Sequence, residues 1–323
     1  MFWGYLVLLL VVVSSIYLAG DRVWWGTLLI FGPRWIWGIP FPFLALAWGR
    51  LSCRRRSCLI VSAILYGYFI VGFNVPVAFF ASSDLPAIRF MTLNLEGGET
   101  DWQKLQRLLD LYQPDVLLFQ ECPANVGAYL PADWNTNQDG ELAIATRLPL
   151  DSCAIVNRVL GHRYPRAVGM VNRIQLPSGP VSVATVHLLS PSDGLNRILS
   201  RKTILDLSYR KLIDQEIGWR RDEAEHVFDS LKDISESLVI AGDFNLPVES
   251  SIYRITWGNF YNAFTYAGLG CGATAFQERG GLWNSARIDH ILYAEGWKSR
   301  SAWVGPDIGS DHRPLFADLI HDR

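Results

Sequence analysis

SLVIAGDFNLPV, residues Ser237–Val248, opens after Ser237 with five apolar or glycine residues in a row, Leu238 to Gly242. A run of that kind with no polar alternation reads as a strand buried on both faces. It leads straight into Asp243, Phe244, Asn245 and Pro247. Side chains two residues apart on extended chain share a side, so Asp243 and Asn245 stand together at the carboxyl end of the strand. Open α/β sheets place their chemistry there. A strand-terminating Asx turn is the competing account of the same four residues.

Working outward, the chain from residue 88 alternates short apolar strands with turns. Strands are expected at Ile88–Leu95, Asp115–Gln120, Leu142–Thr146, Ala167–Leu176, Val181–Leu189, Leu238–Gly242, Ile288–Tyr293 and Leu315–Ile320. Asp101–Tyr112 carries Trp102, Leu105, Leu108, Leu109 and Tyr112 on one helical face, and a second amphipathic helix is expected over Ile217–Leu231. Many strands with few helices predict packed sheets flanked by helices, an α/β sandwich rather than a regular βαβ series.

Strand after strand ends in a side chain suited to a phosphate or a hard metal ion. Asn94 and Glu96 follow the first, Glu121 follows Gln120, and His187 follows Val186. Further on come Asp243 with Asn245, Asp289 with His290, and Asp311, His312 and Arg313. Taken one at a time, each has an ordinary structural account as a cap or a satisfied core group. Together they supply oxygen ligands for a divalent ion, a base for water, and donors for charge developing on phosphorus.

Asn94, Gln120-Glu121, Thr185–Leu188, Gly242-Asp243-Phe244-Asn245, Arg287-Ile288-Asp289-His290 and Ser310-Asp311-His312-Arg313-Pro314 stand in the order of a known set of motifs. In that order they resemble the endonuclease/exonuclease/phosphatase superfamily, here as a membrane-anchored bacterial-type member. The resemblance covers residues 88–320 and implies a four-layer α/β sandwich with two central mixed sheets. It also implies Mg²⁺ (or Mn²⁺) held by Glu121 with Asn94 and Asp311, and Glu96 beside them. Asp243 would orient or deprotonate water, and Asn245 would hold a phosphate oxygen. His312, fixed by Asp289, and His187 would donate to the phosphoryl group. A histidine at 187 is similar to the deoxyribonuclease and lipid phosphodiesterase branches rather than to the repair endonucleases. His290 alternates to the opposite face and reads as structural, Arg287 and Arg313 as packing near the site, and Asn262, Thr274 and Trp283 as loop residues bordering it.

The segment before Asp84 differs in kind. It holds a single acid, Asp21, with Arg22, Arg34, Arg50, Arg54, Arg55 and Arg56, and six of the 13 Trp. Phe2–Ala19 and Leu59–Ala81 contain no charge and are long enough to span a bilayer. Val23–Gly49, broken by Pro33, Pro40 and Pro42, reads as a kinked span or a re-entrant piece. A cleaved signal peptide at the start would require a basic leader and a small-residue cleavage site, which Met1–Gly20 does not offer. The Arg-rich loop 50–57 before the last span places itself in the cytoplasm and residues 84–323 outside, with two spans or three. The expectation is a multi-pass protein of the cell (inner) membrane with an extracytoplasmic catalytic domain.

Residues 84–323 carry 23 bases and 30 acids, a net −7, without the basic footprint of a tight polyanion binder. The expected substrate is therefore a phosphoester: a lipid headgroup, a small phosphoester or nucleic acid, with no protein partner predictable. Pro191–Gly218, with Arg197, Arg201, Lys202, Arg210 and Lys211 among apolar residues, reads as an amphipathic lid, a surface for anionic headgroups or a solvated rim helix. Cys122, Cys153 and Cys271 are odd in number, so no disulfide framework is expected. The opposing class is an inactive membrane receptor or scaffold on the same fold. Such a chain would be expected to have lost a charged site residue, and none is missing.

Overall fold

In the computed structural model of the chain, residues 1–77, 85–159, 165–192, 195, 207–234, 237–279 and 282–321 are described. Two six-stranded mixed sheets form its centre. One runs β13 (Trp297–Val304), β14 (Leu315–His321), β1 (Ile88–Asn94), β2 (Val116–Gln120), β4 (Leu142–Thr146), β3 (Asn135–Asp139). The other runs β5 (Leu150–Asn157), β6 (Ala167–Leu176), β7 (Gly179–His187), β8 (Leu238–Asp243), β12 (Asp289–Tyr293), β9 (Tyr261–Asn262). A hairpin of β10 (Ala275–Arg279) and β11 (Leu282–Ala286) stands apart.

The opening stretch is β8, every residue of it buried. Val239 and Ala241, with Met170 of β6, pack against Phe90, Val116, Leu118 and Ile144 of the other sheet. Leu238 and Ile240 face outward, under Ile217, Ala224, Val227 and Leu231 of the helix Leu207–Leu231. That two-sided burial is why the sequence shows no alternation. On the far side, Leu117 and Phe119 of β2 pack beneath Leu105, Leu108 and Leu109 of the helix Trp102–Tyr112. The result is helix, sheet, sheet, helix, the four-layer α/β sandwich expected. Asp101 caps the Trp102–Tyr112 helix by accepting from the amides of Gln103 and Lys104 (3.0 and 3.1 Å).

Strands β3, β5, β9, β13 and the hairpin were not legible. β3 is the polar edge sequence NTNQD, and β13 alternates buried and exposed side chains at the opposite edge. Such strands are held by partners rather than by their own apolar content. The helix expected from Ile217 begins earlier, at Leu207. Within Pro191–Gly218, residues 193–194 and 196–206, with Arg197, Arg201 and Lys202, lie outside the described residues.

The N-terminal region is helical over Phe2–Arg22, 21 residues that include an 18-residue window with a mean hydropathy of 2.2. Trp24–Phe31 and Arg34–Ala45 meet at 77°, the bend expected of the Pro33-Arg34 break. Among the described residues, one helix is long and apolar enough to cross a membrane, or two if the bent pair forms one span. Of the span expected over Leu59–Ala81, residues 78–81 lie outside the described residues, and the rest does not form one helix. The helix that starts at Cys53 ends at Ile70, and Gly72 turns the chain with φ +76°. Asn74 then pairs with Gly270 through both backbone bonds (2.8 and 3.0 Å), and the Val77 amide donates to the Tyr266 carbonyl (2.9 Å). Hydropathy cannot register such pairing, because it concerns partners far along the chain.

This region also packs directly on the sandwich. Leu9, Ile16, Ile30, Leu44 and Ile70 share one apolar cluster with Ala275 and Ile288. Asp21, fully buried, accepts from the hydroxyls of Ser250 and Ser251 and from the Ser251 amide. Arg34 grips both carboxylate oxygens of Glu249 (2.8 and 3.1 Å). These are the partners that charged residues in apolar segments require.

Candidate active site

The carboxyl ends of β1, β2, β7 and β8 lie side by side, in register Asn94 with Gln120 and His187 with Asp243. β12 enters from the other direction, so Asp289 pairs with Asp243. Adjacent strands thus bring Asn94, His187, Asp243 and Asp289 to one end of the two sheets. Gly242 is required there: a Cβ at that position would run into the Val186 carbonyl of the neighbouring strand. Glu96, Glu121 and Asn245, just past their strands, all hold positive φ near 50°, a conformation that costs free energy for residues with a side chain. Three of the five non-glycine residues described with positive φ are therefore in this pocket.

Asp243 is the hub. Its Oδ1 accepts from the Asn245 amide (2.9 Å) and its Oδ2 from the Asn94 side chain (3.2 Å), which also donates to Glu121 (3.0 Å). The Nε2 atoms of His187 and His312 both stand 3.8 Å from the same Oδ2. Burial pushes the Asp243 carboxyl up to about 7; the His312 charge opposes this and the nearby Asp289 adds to it.

The two histidines differ in charge for identifiable reasons. Burial opposes charge on His312, but Asp289, bonded to its Nδ1 at 2.8 Å, and Asp243 outweigh that and raise its pKa to about 10. It is an imidazolium with Nε2–H aimed into the pocket. For His187, burial and then the Arg166 guanidinium hold the pKa well below the usual histidine value. Arg166 contacts its Nδ1 at 3.1 Å and also bonds the His187 carbonyl (3.1 Å). A guanidinium can only donate, so Nδ1 is the acceptor and Nε2 carries the proton. Both rings present a donor to the space above Asp243.

A cluster of acids closes the other side. Glu121 Oε1 lies 3.6 Å from His187 Nε2, and Glu96 accepts from the Asp311 amide (2.8 Å). Burial and the charges of Asp311, Glu99 and Glu121 raise the Glu96 pKa, although the Asp311 amide opposes them. Crowded carboxylates with an amide oxygen and no base among them suit a hard divalent cation. Asn94, Glu96, Glu121 and Asp311 fit such an ion by donor chemistry. Asp243, Asp289 and His312 also bring ligand atoms within 4.8 Å of one another, with His312 Nδ1 bonded to Asp289.

The other sequence candidates divide. Asn245 donates its amide to the Leu188 carbonyl (3.0 Å), leaving a second N–H. His290 is a fully buried neutral residue, its pKa lowered to about 4 by burial, bonded to the Leu246 carbonyl and Asn262. Asn262 therefore stands with His290 and not at the pocket. Thr274 braces the site from behind, its hydroxyl accepting from the Asp289 amide (3.2 Å). The Arg287 guanidinium stacks on Phe264, and that of Arg313 on Phe276. The side chain of Trp283 lies outside the described residues, and all five cysteines are free. Sequence reasoning missed Arg166, which also pairs with Glu141 (3.1 Å), and gave no role to Ser310 of the last motif, which bonds the Asn94 carbonyl (2.8 Å) and accepts from the His312 amide (3.0 Å). Only strand pairing puts Arg166 beside His187, and no sequence spacing signals it.

Residues 91–312 match the model of the Endonuclease/Exonuclease/phosphatase family. No curated protein matches the chain. Among solved structures, D. rerio TDP2 complexed with single strand DNA product is similar at TM-score 0.54 and 14% identity, over 72% of this chain and 98% of that one. The human Nocturnin catalytic domain with bound sulfate anion gives 0.52 and 16%, over 76% and 99%. The 3'-5' exonuclease NExo from Neisseria meningitidis gives 0.51 and 19%, over 73% and 100%. At these identities the likeness is one of fold.

Proposed function

The chain belongs to the endonuclease/exonuclease/phosphatase family, whose members hydrolyse phosphoesters, and from that premise we propose that it is a membrane-anchored phosphohydrolase dependent on a divalent metal. The observation that carries this reading is the convergence on Asp243 Oδ2: Asn94 at 3.2 Å and two oppositely tuned histidines at 3.8 Å. Asp243, with a carboxyl near neutrality, takes the proton of the attacking water. His312, kept charged by Asp289, donates to a phosphoryl oxygen, and neutral His187 supplies a second N–H. Asn245 offers its remaining N–H to the same group. Glu121, Asp311, Asn94 and Glu96 would hold Mg²⁺ or Mn²⁺, which supplies positive charge to the phosphate oxygens when bound.

The substrate is a phosphodiester or phosphomonoester. Relatives in fold include structures with DNA products, so nucleic acid is one class. The net −7 of residues 84–323 and the apolar N-terminal region favour lipid headgroups or small phosphoesters. The full chain in detergent, with Mg²⁺ or Mn²⁺, would be assayed on single- and double-stranded DNA, phospholipids and inositol phosphates side by side. Turnover of at least one class is expected, abolished by chelation, restored by the ion and lost in Asp243→Ala. No turnover of any class with either ion would overturn the reading.

A further inference from the structure

A cavity of about 340 Å³ lies in the seam between the N-terminal region and the sandwich, away from the catalytic side chains. That is within the range of small-ligand sites. Arg34, Trp35 and Tyr66 line it from the apolar side, and Glu249, Cys271 and Arg287 from the sandwich. Its charges do not balance. Both oxygens of Glu249 are taken by Arg34, while Arg287 Nη1 is buried with no hydrogen-bond partner, and Arg287 makes no ion pair among the described residues. A guanidinium whose buried Nη1 has no partner calls for an acceptor from outside.

The position of the cavity says what brings that acceptor. Trp35, 48% exposed, stands at its edge, and Ile36, Ile39 and Phe43 continue an exposed apolar surface along the same segment. Basic pockets beside membrane helices take anionic headgroups. We propose that this cavity binds the phosphate-bearing headgroup of an anionic membrane lipid, at a site distinct from the catalytic pocket. The neighbouring space that touches Asn245 measures only about 30 Å³, room for about one water, so the headgroup does not pass through to Asp243. The proposal rests on the membrane-anchored part of the reading above and not on hydrolysis.

Cys271 reports occupancy, because it is a free thiol in the lining. The full chain, with the exposed Cys53 and Cys153 changed to Ser, would be placed in nanodiscs of phosphatidylcholine alone or mixed with phosphatidylglycerol, and alkylation of Cys271 timed. Phosphatidylglycerol is expected to slow alkylation about fivefold, the effect of one basic side chain on an anionic headgroup. Arg287→Gln is expected to abolish that slowing, and Arg287→Lys, which keeps the charge, to retain part of it. Equal rates in the two discs, or equal slowing in wild type and Arg287→Gln, would overturn the site. Slowing by inorganic phosphate in phosphatidylcholine discs would overturn the lipid as its source. A chain that does not co-elute with the discs would overturn the anchoring and the site together, whatever its hydrolytic activity.

Discussion

Two regions of this molecule bury carboxylates, and they treat them in opposite ways. At the seam the carboxylates are saturated: Glu249 gives both oxygens to Arg34, and Asp21 both of its own to Ser250 and Ser251. In the pocket the closure is incomplete beyond Asp243, whose two oxygens accept from Asn245 and Asn94. Asp289 Oδ1 is buried without a partner, and the two histidine Nε2 atoms stop 3.8 Å from Asp243, beyond hydrogen-bond reach. Full pairing makes a joint, whereas incomplete pairing leaves places that a water and a phosphoryl group can fill. Substitutions in the pocket should therefore remove activity and spare stability, and those at the seam should do the reverse.

The sharpest break between them is Asp243→Ala. It removes the base and the group toward which both rings point, so kcat should fall on the order of 10³-fold or more. Deleting a buried carboxylate beside Asp289 relieves like-charge crowding, so the melting temperature should hold or rise. Steady-state kinetics and a thermal melt on one preparation test both. A variant that loses stability and activity in step would erase the contrast.

Glu249→Gln is the mirror image. It strands Arg34 in the interior, and breaking a buried pair from one side costs about 3–5 kcal/mol. The kcat of the folded fraction should stay within about twofold of wild type. The same pair gives the seam a pH signature. Burial would raise the Glu249 pKa, but Arg34 outweighs it and holds the carboxyl below its usual range. A lowered carboxyl pKa contributes stability above the unfolded value of about 4.3, and that contribution is lost as pH falls through the folded one. Wild type should lose melting temperature on acidification below about pH 4 more steeply than the variant.

Asp289→Asn returns to the pocket with a smaller effect, a fall in kcat of about 10²-fold. Asp289 is the leading cause that raises His312 against burial, to about 10. A raised histidine pKa holds the charged form as pH climbs, so the alkaline limb of kcat should lie high in wild type and move toward neutrality in the variant. An unmoved limb would mean that His312 is not the donor.

The pocket was readable because buried strands carry unbroken apolar runs, which mark their own ends. Asn94, Glu121, His187 and Asp243 sit where β1, β2, β7 and β8 stop. The seam was not readable. Asp21 and Arg34 looked like interruptions in apolar segments, and their partners Ser250 and Glu249 lie far along the chain, just past β8. Leu59–Ala81 misled for the same reason, since its apolar content says nothing of the Asn74–Gly270 pairing that turns it onto the sandwich. Polar edges such as β3 and the alternating β13 are also specified by neighbours. Thr274 and Asn262 looked equivalent as loop residues, yet one braces Asp289 and the other holds His290.

Arg166 is the smallest and finest test of the comparison, because it belongs to the pocket yet touches it only through His187. Burial, then this guanidinium, keep His187 neutral, and its donation to Nδ1 leaves the proton on Nε2. Without it the ring is free to turn or to shift tautomer, and Arg166→Ala should lower kcat about tenfold, the lower end of what a misaligned donor costs. The pH profile separates this role from simple packing. With one of the causes that depress its pKa removed, His187 takes up a proton at higher pH and pairs with Glu121 and Asp243, at 3.6 and 3.8 Å. The charged ring then lowers the Asp243 carboxyl from about 7, making it a weaker base, so the acid limb should move toward lower pH. Arg166→Lys, which keeps the charge but not the fork that reaches both Nδ1 and the carbonyl, should restore the limb more than kcat. If both variants lower kcat with no change in the limb, Arg166 only holds the loop in place. Histidine ring ¹⁵N shifts would then still show Nε2 protonated.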